Sequence, residues 1–396
     1  MEKKYTIFTG KMLGSYNLID MIFGASYIIL MTYHNLSSLN ISFVMALSSL
    51  SLALFDYPSG NFADIYGRKK STAIGFLIWG IGLIMFSLSK TLLFFSVATI
   101  ISSLGIALIS GSPVSWYIDK LKSIGKMEYK NKAIPILNGV LSLFSAIGAT
   151  IAALSNMFST FNPLFIAGIF SIIISVTTYI FFEDNYGERL STNFVGEIVQ
   201  STKKFFKDKA MNKILIYYMI QRLPLTAFIV VWQLYFLLDL DGNPEFIGFA
   251  LIMFMIAGSI SGFLSAKLVT KYSNYNLTIL AKIINIVALF SIFLIGNNII
   301  NFAVLVFIYE FGLGLENANR GAWMQDLIPS EKRSTYYSAM GAINSAFIFV
   351  CILLLGKVMV TLGREFIWII AGLAQILSLL YLVIYIGKYI KNRKGV

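Results

Sequence analysis

Charge is what this sequence lacks most. Only 13% of its 396 residues are Asp, Glu, Lys or Arg, while 57% are hydrophobic. A soluble domain carries about twice that share of charge. A water-soluble fold could not cover itself with so few charges, whereas a lipid-facing one needs few. The single cysteine, Cys351, excludes an intrachain disulfide, and with one histidine, His34, no Cys/His metal cluster can be assembled. No G-x-x-x-x-G-K-[ST] loop occurs, so ATP is not the expected energy source. No nucleophile–base set stands out either. Neither an enzyme nor a cofactor or metal is expected.

Long apolar runs are what the chain has instead. Mean hydropathy is +0.77, and the runs are long enough to cross a ~30 Å hydrocarbon layer as helices. Twelve spans are expected at 12–33, 41–62, 71–89, 92–116, 133–155, 162–182, 213–237, 245–268, 275–296, 300–323, 336–360 and 365–387. The net charge of +12 does not point to nucleic acid, because the bases lie in the turns between apolar runs. One set of alternate turns, with both tails, holds 25 of the 31 Lys and Arg; the opposite turns hold only Lys90 and Arg364. The positive-inside rule makes the first set cytoplasmic, and both termini with it. The long basic turn 183–213 contains "EIVQSTKKFFKDKAMNK", either a surface amphipathic helix or a plain linker.

The two halves repeat. Asp20 closes "SYNLID" and Arg222 closes "YYMIQR", 202 residues apart, and Gly60 and Gly262 share that offset. "SWYID" with Trp116 and Asp119 matches "AWMQD" with Trp323 and Asp326. Ala133 and Asn138 match Ala339 and Asn344. These matches imply an all-α membrane protein of 12 transmembrane helices in two six-helix pseudo-symmetric bundles. The expected parts are an N-terminal bundle at 1–182, a linker at 183–212 and a C-terminal bundle at 213–396. Six spans per repeat make the repeats parallel, related by an axis along the membrane normal.

The turn after the second span, "GNFADIYGRKKS", carries Gly60, Ala63, Asp64, Gly67, Arg68 and Lys69 in the order G-x-x-A-D-x-x-G-R-[RK]. With "DYPSG" before it, "GSPVSWYIDKL" and "RGAWMQDLIPSEKRST", it resembles the major facilitator superfamily over the whole chain, and prokaryotic drug-efflux members in particular. The resemblance implies a monomeric secondary transporter working by alternating access in the plasma membrane. It also implies that Asp56, Gly60, Asp64, Gly67, Arg68, Lys69 and Asp119 form a cytoplasmic gate. Gly60 allows close helix approach, Gly67 a tight reversal, and Arg68 is placed to pair with Asp119. The second half lacks the matching Asp, at "GFLSAKLVTKYS". Two markers of drug/proton antiporters are missing as well: an Arg in span 4 and a G-P pair in span 5.

Ionisable residues inside a span each cost ~2.5–3.5 kcal/mol on insertion scales and are usually functional. Asp20 and Arg222 occupy equivalent places in spans 1 and 7, which the resemblance puts along a central cavity. Asp20 is the first candidate proton carrier, with a close Arg222 holding it charged between cycles, and Glu310 is the second. A permanent structural ion pair is the alternative for Asp20 and Arg222. Tyr16, Asn17, Tyr218 and Gln221 join Arg222 as candidates to line the substrate cavity. Glu316 and Arg320, four apart on one helix, are expected to form a structural pair, and Lys282 to snorkel toward the cytoplasm. The expected partners are a small-molecule substrate, protons and the bilayer. Export of amphiphilic compounds is the leading reading, supported by 33 Phe and 15 Met. Uptake of a small organic anion, or a non-transporting scramblase or receptor, stands beside it.

Overall fold

The computed structural model describes residues 2–110, 112–158, 162–184, 209–327 and 333–387. Every regular element among them is helical. Eleven helical stretches are long and apolar enough to cross a membrane, and the expected span at 133–155 falls on a helix whose apolar part, Gly139–Ser155, is shorter. The expected surface helix in the linker, and Asp326, fall outside the described backbone or side chains.

The first half contains α1 (Glu2–Tyr33), α2 (Ser38–Tyr66), α3 (Arg68–Leu88), α4 (Leu92–Ile109), α5 (Ser112–Ser123), α6 (Lys130–Phe158) and α7 (Pro163–Phe181). The second contains α8 (Lys209–Ile220), α9 (Leu223–Leu238), α10 (Glu245–Leu268), α11 (Asn274–Ile295), α12 (Ile299–Leu327), α13 (Arg333–Thr361) and α14 (Phe366–Tyr381), which runs into a π-helical turn, Leu382–Ile386. Ser37 caps α2 by accepting from the Asn40 N–H, and Ser273 caps α11 by accepting from the Asn276 N–H. Helix α1 begins ten residues before the expected span. Its first turns are held by ring contacts of Tyr5 and Phe8 with Trp116 rather than by lipid.

The chain divides into two compact units, 1–191 with 243–252, and 192–242 with 253–396. Packing repeats between them. In the first, α3 lies between α4 and α7, and α1 packs on α6 and α7; in the second, α11 lies between α12 and α14, and α9 packs on α13 and α14. The paired tryptophans share a role. Trp116 is buried with Met12, Leu121, Leu137 and Phe182, and Trp323 with Ile214, Tyr217, Met340 and Leu382.

Lipid gives helices no hydrophobic reason to associate, so contact relies on close packing. Gly75 and Gly105 bring α3 and α4 together at backbone distance, and a Cβ on Gly105 would collide with the backbone of Trp79 and Gly75. At Gly60, where close approach was expected, nothing lies within 4 Å of the place a Cβ would take. Gly105→Leu is expected to lower the thermal midpoint of the detergent-solubilised protein by several degrees. Gly139→Leu, in open space, should leave it unchanged in the same melting assay.

Candidate functional site

Two polar centres stand out, one in each unit. The first lies at the basic end of the N-terminal unit. Gly67 closes α2 and opens α3 at φ +103, a conformation that favours glycine. The glycine also makes room: the Asp184 carboxylate sits where a Cβ on Gly67 would be. From there Asp184 accepts a hydrogen bond from the Lys69 backbone N–H at 3.3 Å, so a carboxylate meets the positive end of α3. Arg68 forms an ion pair with Asp119 on α5. One turn away the Trp116 indole N–H donates to the Glu183 carbonyl at 2.7 Å, and its ring stacks on Phe182 at 4.2 Å. Lys120 Nζ lies 2.8 Å from Glu183 Oε2. The three residues after α7 are thus laced to α3 and α5.

Of the expected gate residues, Gly67, Arg68, Lys69 and Asp119 come together here. Asp56 is exposed on α2 and hydrogen-bonds with Ser110. The side chain of Asp64 is outside the described residues. Glu183 and Asp184 were missed because they were counted with the linker. The signal was an acidic pair in an otherwise basic set of turns.

The second centre lies inside the C-terminal unit and is built on a broken helix. Span 7 does not run straight through: α8 stops at Ile220 and α9 restarts at Leu223. Pro224 explains the break. It has no N–H to give the Ile220 carbonyl and its ring crowds that carbonyl, so the ladder is interrupted although Arg222 keeps helical backbone angles; in the first turn of a helix that loss is harmless. Gln221 and Arg222 occupy the gap. α1, the counterpart of this span, continues through Asp20 without interruption.

Around the break α11, α12 and α14 supply a buried network. Lys282 Nζ lies 2.7 Å from Glu316 Oε1 and donates to Ser378 Oγ at 2.8 Å. Gln375 Nε2 donates to Glu316 Oε2 at 3.0 Å. Lys282 is wholly buried, at 0% exposure, so it does not snorkel as expected; the ion pair with the buried Glu316 holds it inside. The expected Glu316–Arg320 pair is present at 3.6 Å but is secondary to Lys282, and Arg320 also donates to Asn317 Oδ1 at 2.7 Å. Spacing on one helix pointed to Arg320; packing of α11 on α12 brings the nearer base.

A small cavity of about 10 Å³, room for about one water, opens beside this network, lined by Gln221, Arg222, Asn285, Glu316, Arg320 and Gln375 among others. Gln221 Nε2, Arg222 Nε and Asn285 Oδ1 are buried there without a hydrogen-bond partner. Asn285 fits because Gly312 faces it: a Cβ on Gly312 would overlap the Asn285 amide oxygen. Arg222 lies over the Tyr218 ring at 5.6 Å. Gln221, Arg222 and Tyr218 are therefore grouped, whereas Tyr16, Asn17 and Asp20 belong to the other unit. There Tyr16 packs on Trp79 at 5.0 Å, and Asn17 donates to the Leu13 carbonyl of its own helix. Glu310 on α12 is partly buried and does not line the cavity. No three His, Cys, Asp or Glu side chains converge as metal ligands among the described residues.

The profile of the Major Facilitator Superfamily matches residues 12–350. The chain belongs to this superfamily. An uncharacterized MFS-type transporter of Methanocaldococcus jannaschii is 23% identical over 149 residues, which span 37% of this chain and 38% of that protein. A mutant of the nucleoside transporter NupG shares the fold with a TM-score of 0.79 at 14% identity, over 97% of this chain and 99% of the other. A POT family transporter in complex with 5-aminolevulinic acid gives 0.75 at 13%, over 98% and 96%. The chain is thus a multi-pass membrane protein of the MFS type, with two bundles carrying different polar centres.

Both centres yield testable outcomes. Removing one partner of a buried pair leaves the other charge uncompensated, a loss of about 3–5 kcal/mol. Lys282→Met is expected to lose stability on that order, and Lys282→Met with Glu316→Gln to lose less than the single change, read by SDS unfolding in mixed micelles. At the first centre, Lys120 holds the Glu183 carboxyl below the usual carboxylate range through a hydrogen bond and its charge. A depressed value means the contribution is present above the unfolded-state value and is lost as pH falls through the folded one. The melting difference between the native protein and Glu183→Gln is therefore expected at neutral pH, and to vanish under strong acid.

Proposed function

We propose that this MFS protein is a proton-coupled secondary transporter of small polar organic solutes, and not an enzyme. One contrast carries the reading. Glu316 is engaged by Lys282, Gln375 and Arg320. Asp20 and Glu310 lie partly buried in their spans, and within their own units neither has an ion pair among the described residues. An intramembrane carboxylate with no base beside it is costly as a charge and is relieved by a proton. Such a group, exposed to each side in turn, moves one proton per cycle. The two bundles supply the alternation, rocking about a site near the membrane middle.

The remaining parts of the reading follow the charge pattern and the superfamily. The basic turns and both termini are cytoplasmic in a plasma membrane. The cluster of Gly67, Arg68, Asp119 and Asp184 then stands at the cytoplasmic mouth and latches it, with Asp56, Gly60, Asp64 and Lys69 nearby. The polar side chains grouped at Gln221, Arg222 and Asn285 support a polar solute, and this outweighs the Phe and Met content that favoured an amphiphile. Fold neighbours that transport nucleosides, or bind a conjugated peptide or 5-aminolevulinic acid, agree with a polar solute. Resemblance to efflux members supports export, and a monomer suffices.

Purified protein in liposomes loaded with a pH-sensitive dye tests the reading. Adding nucleosides, dipeptides or small organic acids in turn is expected to move protons with at least one class. Asp20→Asn or Glu310→Gln should abolish that movement and leave solute exchange at equal pH intact. If no class moves protons in the native protein, or both variants retain full coupling, the proton-coupled reading is wrong.

A further inference from the structure

We infer that Gly248, near the start of α10, is the seat on which the protein closes toward the side opposite its basic turns, and that this closure lies at the level of Asp20. The inference rests on the transporter reading and deepens it by naming a positioning residue for the alternation.

The first observation is that one helix serves both units. α10 runs unbroken from Glu245 to Leu268. Yet Asn243–Ile252 packs with the first unit, and Met253 onward with the second. The second unit holds its part at backbone distance: a Cβ on Gly314 of α12 would meet the Ser261 hydroxyl and the Gly258 Cα. Ser261 is wholly buried there. Residues 249–256, which straddle the division, include no Pro, Gly or Ser at which a helix bends sharply. A straight helix fixed in one body by its later turns parts from the other by unseating its first turns.

The second is what those first turns rest on. Gly248 is buried, and a Cβ there would stand 2.6 Å from the Ala149 carbonyl oxygen and 2.6 Å from the Ala153 Cβ of α6. Both alanines are themselves wholly buried. Glycine alone permits so close an approach. Backbone and methyl groups make the contact, and among the described residues no side-chain hydrogen bond or ion pair joins these turns of α10 to α6. Short-range packing of small residues suits a surface that parts and re-forms within lipid.

The third is the level of the seat. α1 and α6 both run outward from the basic side and keep one register: Gly10 meets Val140, Gly14 meets Phe144 and Gly148 meets Leu18, each pair 130 residues apart. The same offset puts Asp20 level with Thr150, and Phe23 level with Ala153. The seat at Ala149 and Ala153 therefore spans the level of Asp20 and about one turn outward of it. A proton or solute reaching Asp20 from the outer side has to pass that level. Seating α10 closes the passage and unseating it opens the passage, so Gly248 governs which side the carboxylate meets.

Right-side-out and inside-out membrane vesicles holding the full-length protein provide the test, with Cys351→Ser as background. Tyr27→Cys, two turns outward of Asp20 on α1, and Tyr16→Cys, one turn inward, report access to a membrane-impermeant maleimide. Gly248→Leu is expected to speed labelling at Tyr27→Cys from outside about tenfold or more, the change that ~1.4 kcal/mol of overpacking brings. The same variant should slow labelling at Tyr16→Cys from inside. Gly248→Ala should fall between. Gly258→Leu, on the same helix but with nothing within 4 Å of its Cβ, should leave both rates unchanged. Gel filtration shows which variants fold; if Gly248→Leu does not, Gly248→Ala decides. Faster labelling from both sides, or native rates in the folded Gly248 variants, overturns the inference. The liposome assay separates the two claims. Opposed changes in labelling without any solute movement keep the seat and remove the transporter; proton-coupled solute movement with unchanged labelling does the reverse.

Discussion

Inside a bilayer an unbalanced charge has nowhere to go, and the interior of the second unit is arranged around that constraint. Lys282 and Glu316 face each other at 2.7 Å with almost no exposure. Ser378 and Gln375 then take one further hydrogen bond each from or to that pair. Such a pair is weak evidence for stability taken alone, because desolvation offsets most of the Coulomb gain. Its effect is to fix register: α11, α12 and α14 can pack in only one rotational setting if these four side chains are to meet. That setting in turn puts Asn285 against Gly312 and leaves the cavity at the gap in span 7.

The two units solve the same problem differently. Both bury a tryptophan at the matching place, and both give its indole N–H a partner: the Glu183 carbonyl for Trp116 and the Thr278 hydroxyl for Trp323. The packing order of helices repeats as well. The charges do not. The first unit concentrates its ion pairs at its basic end, between Arg68 and Asp119 and between Lys120 and Glu183, and keeps Asp20 in a continuous helix. The second places its strongest pair deep within the bundle and interrupts the helix that carries Arg222. One packing order thus carries a cluster of ion pairs at the end of the first unit and a buried polar network inside the second.

Much of this was legible before any coordinates. Hydropathy gives the spans, since each must satisfy its own backbone in lipid, and the spacing of Gly67, Arg68 and Asp119 carries the turn and its ion pair. Four things were not. The gap at Gln221–Arg222 hid in a hydropathy window that averages over it, although "QRLPL" contains the proline that causes it. Lys282 read as a single costly charge, because its partner lies 34 residues away and only tertiary packing brings it near. Gly60 looked like a contact residue by its motif but faces open space. Asp184 was unreadable for a different reason: its seat is defined by an absent side chain, that of Gly67.

The interrupted span also divides mechanical allegiance. α8 is set among Trp323, Met324, Met340 and Leu382, while α9 is keyed by Phe228 to Tyr309 and by Tyr235 to Trp368. The two segments answer to different neighbours and meet at an elbow of two residues. The elbow keeps part of its bonding, from the Gln221 N–H to the Tyr217 carbonyl and from the Thr226 N–H to the Arg222 carbonyl, so the two segments are seated separately yet tied through one short step.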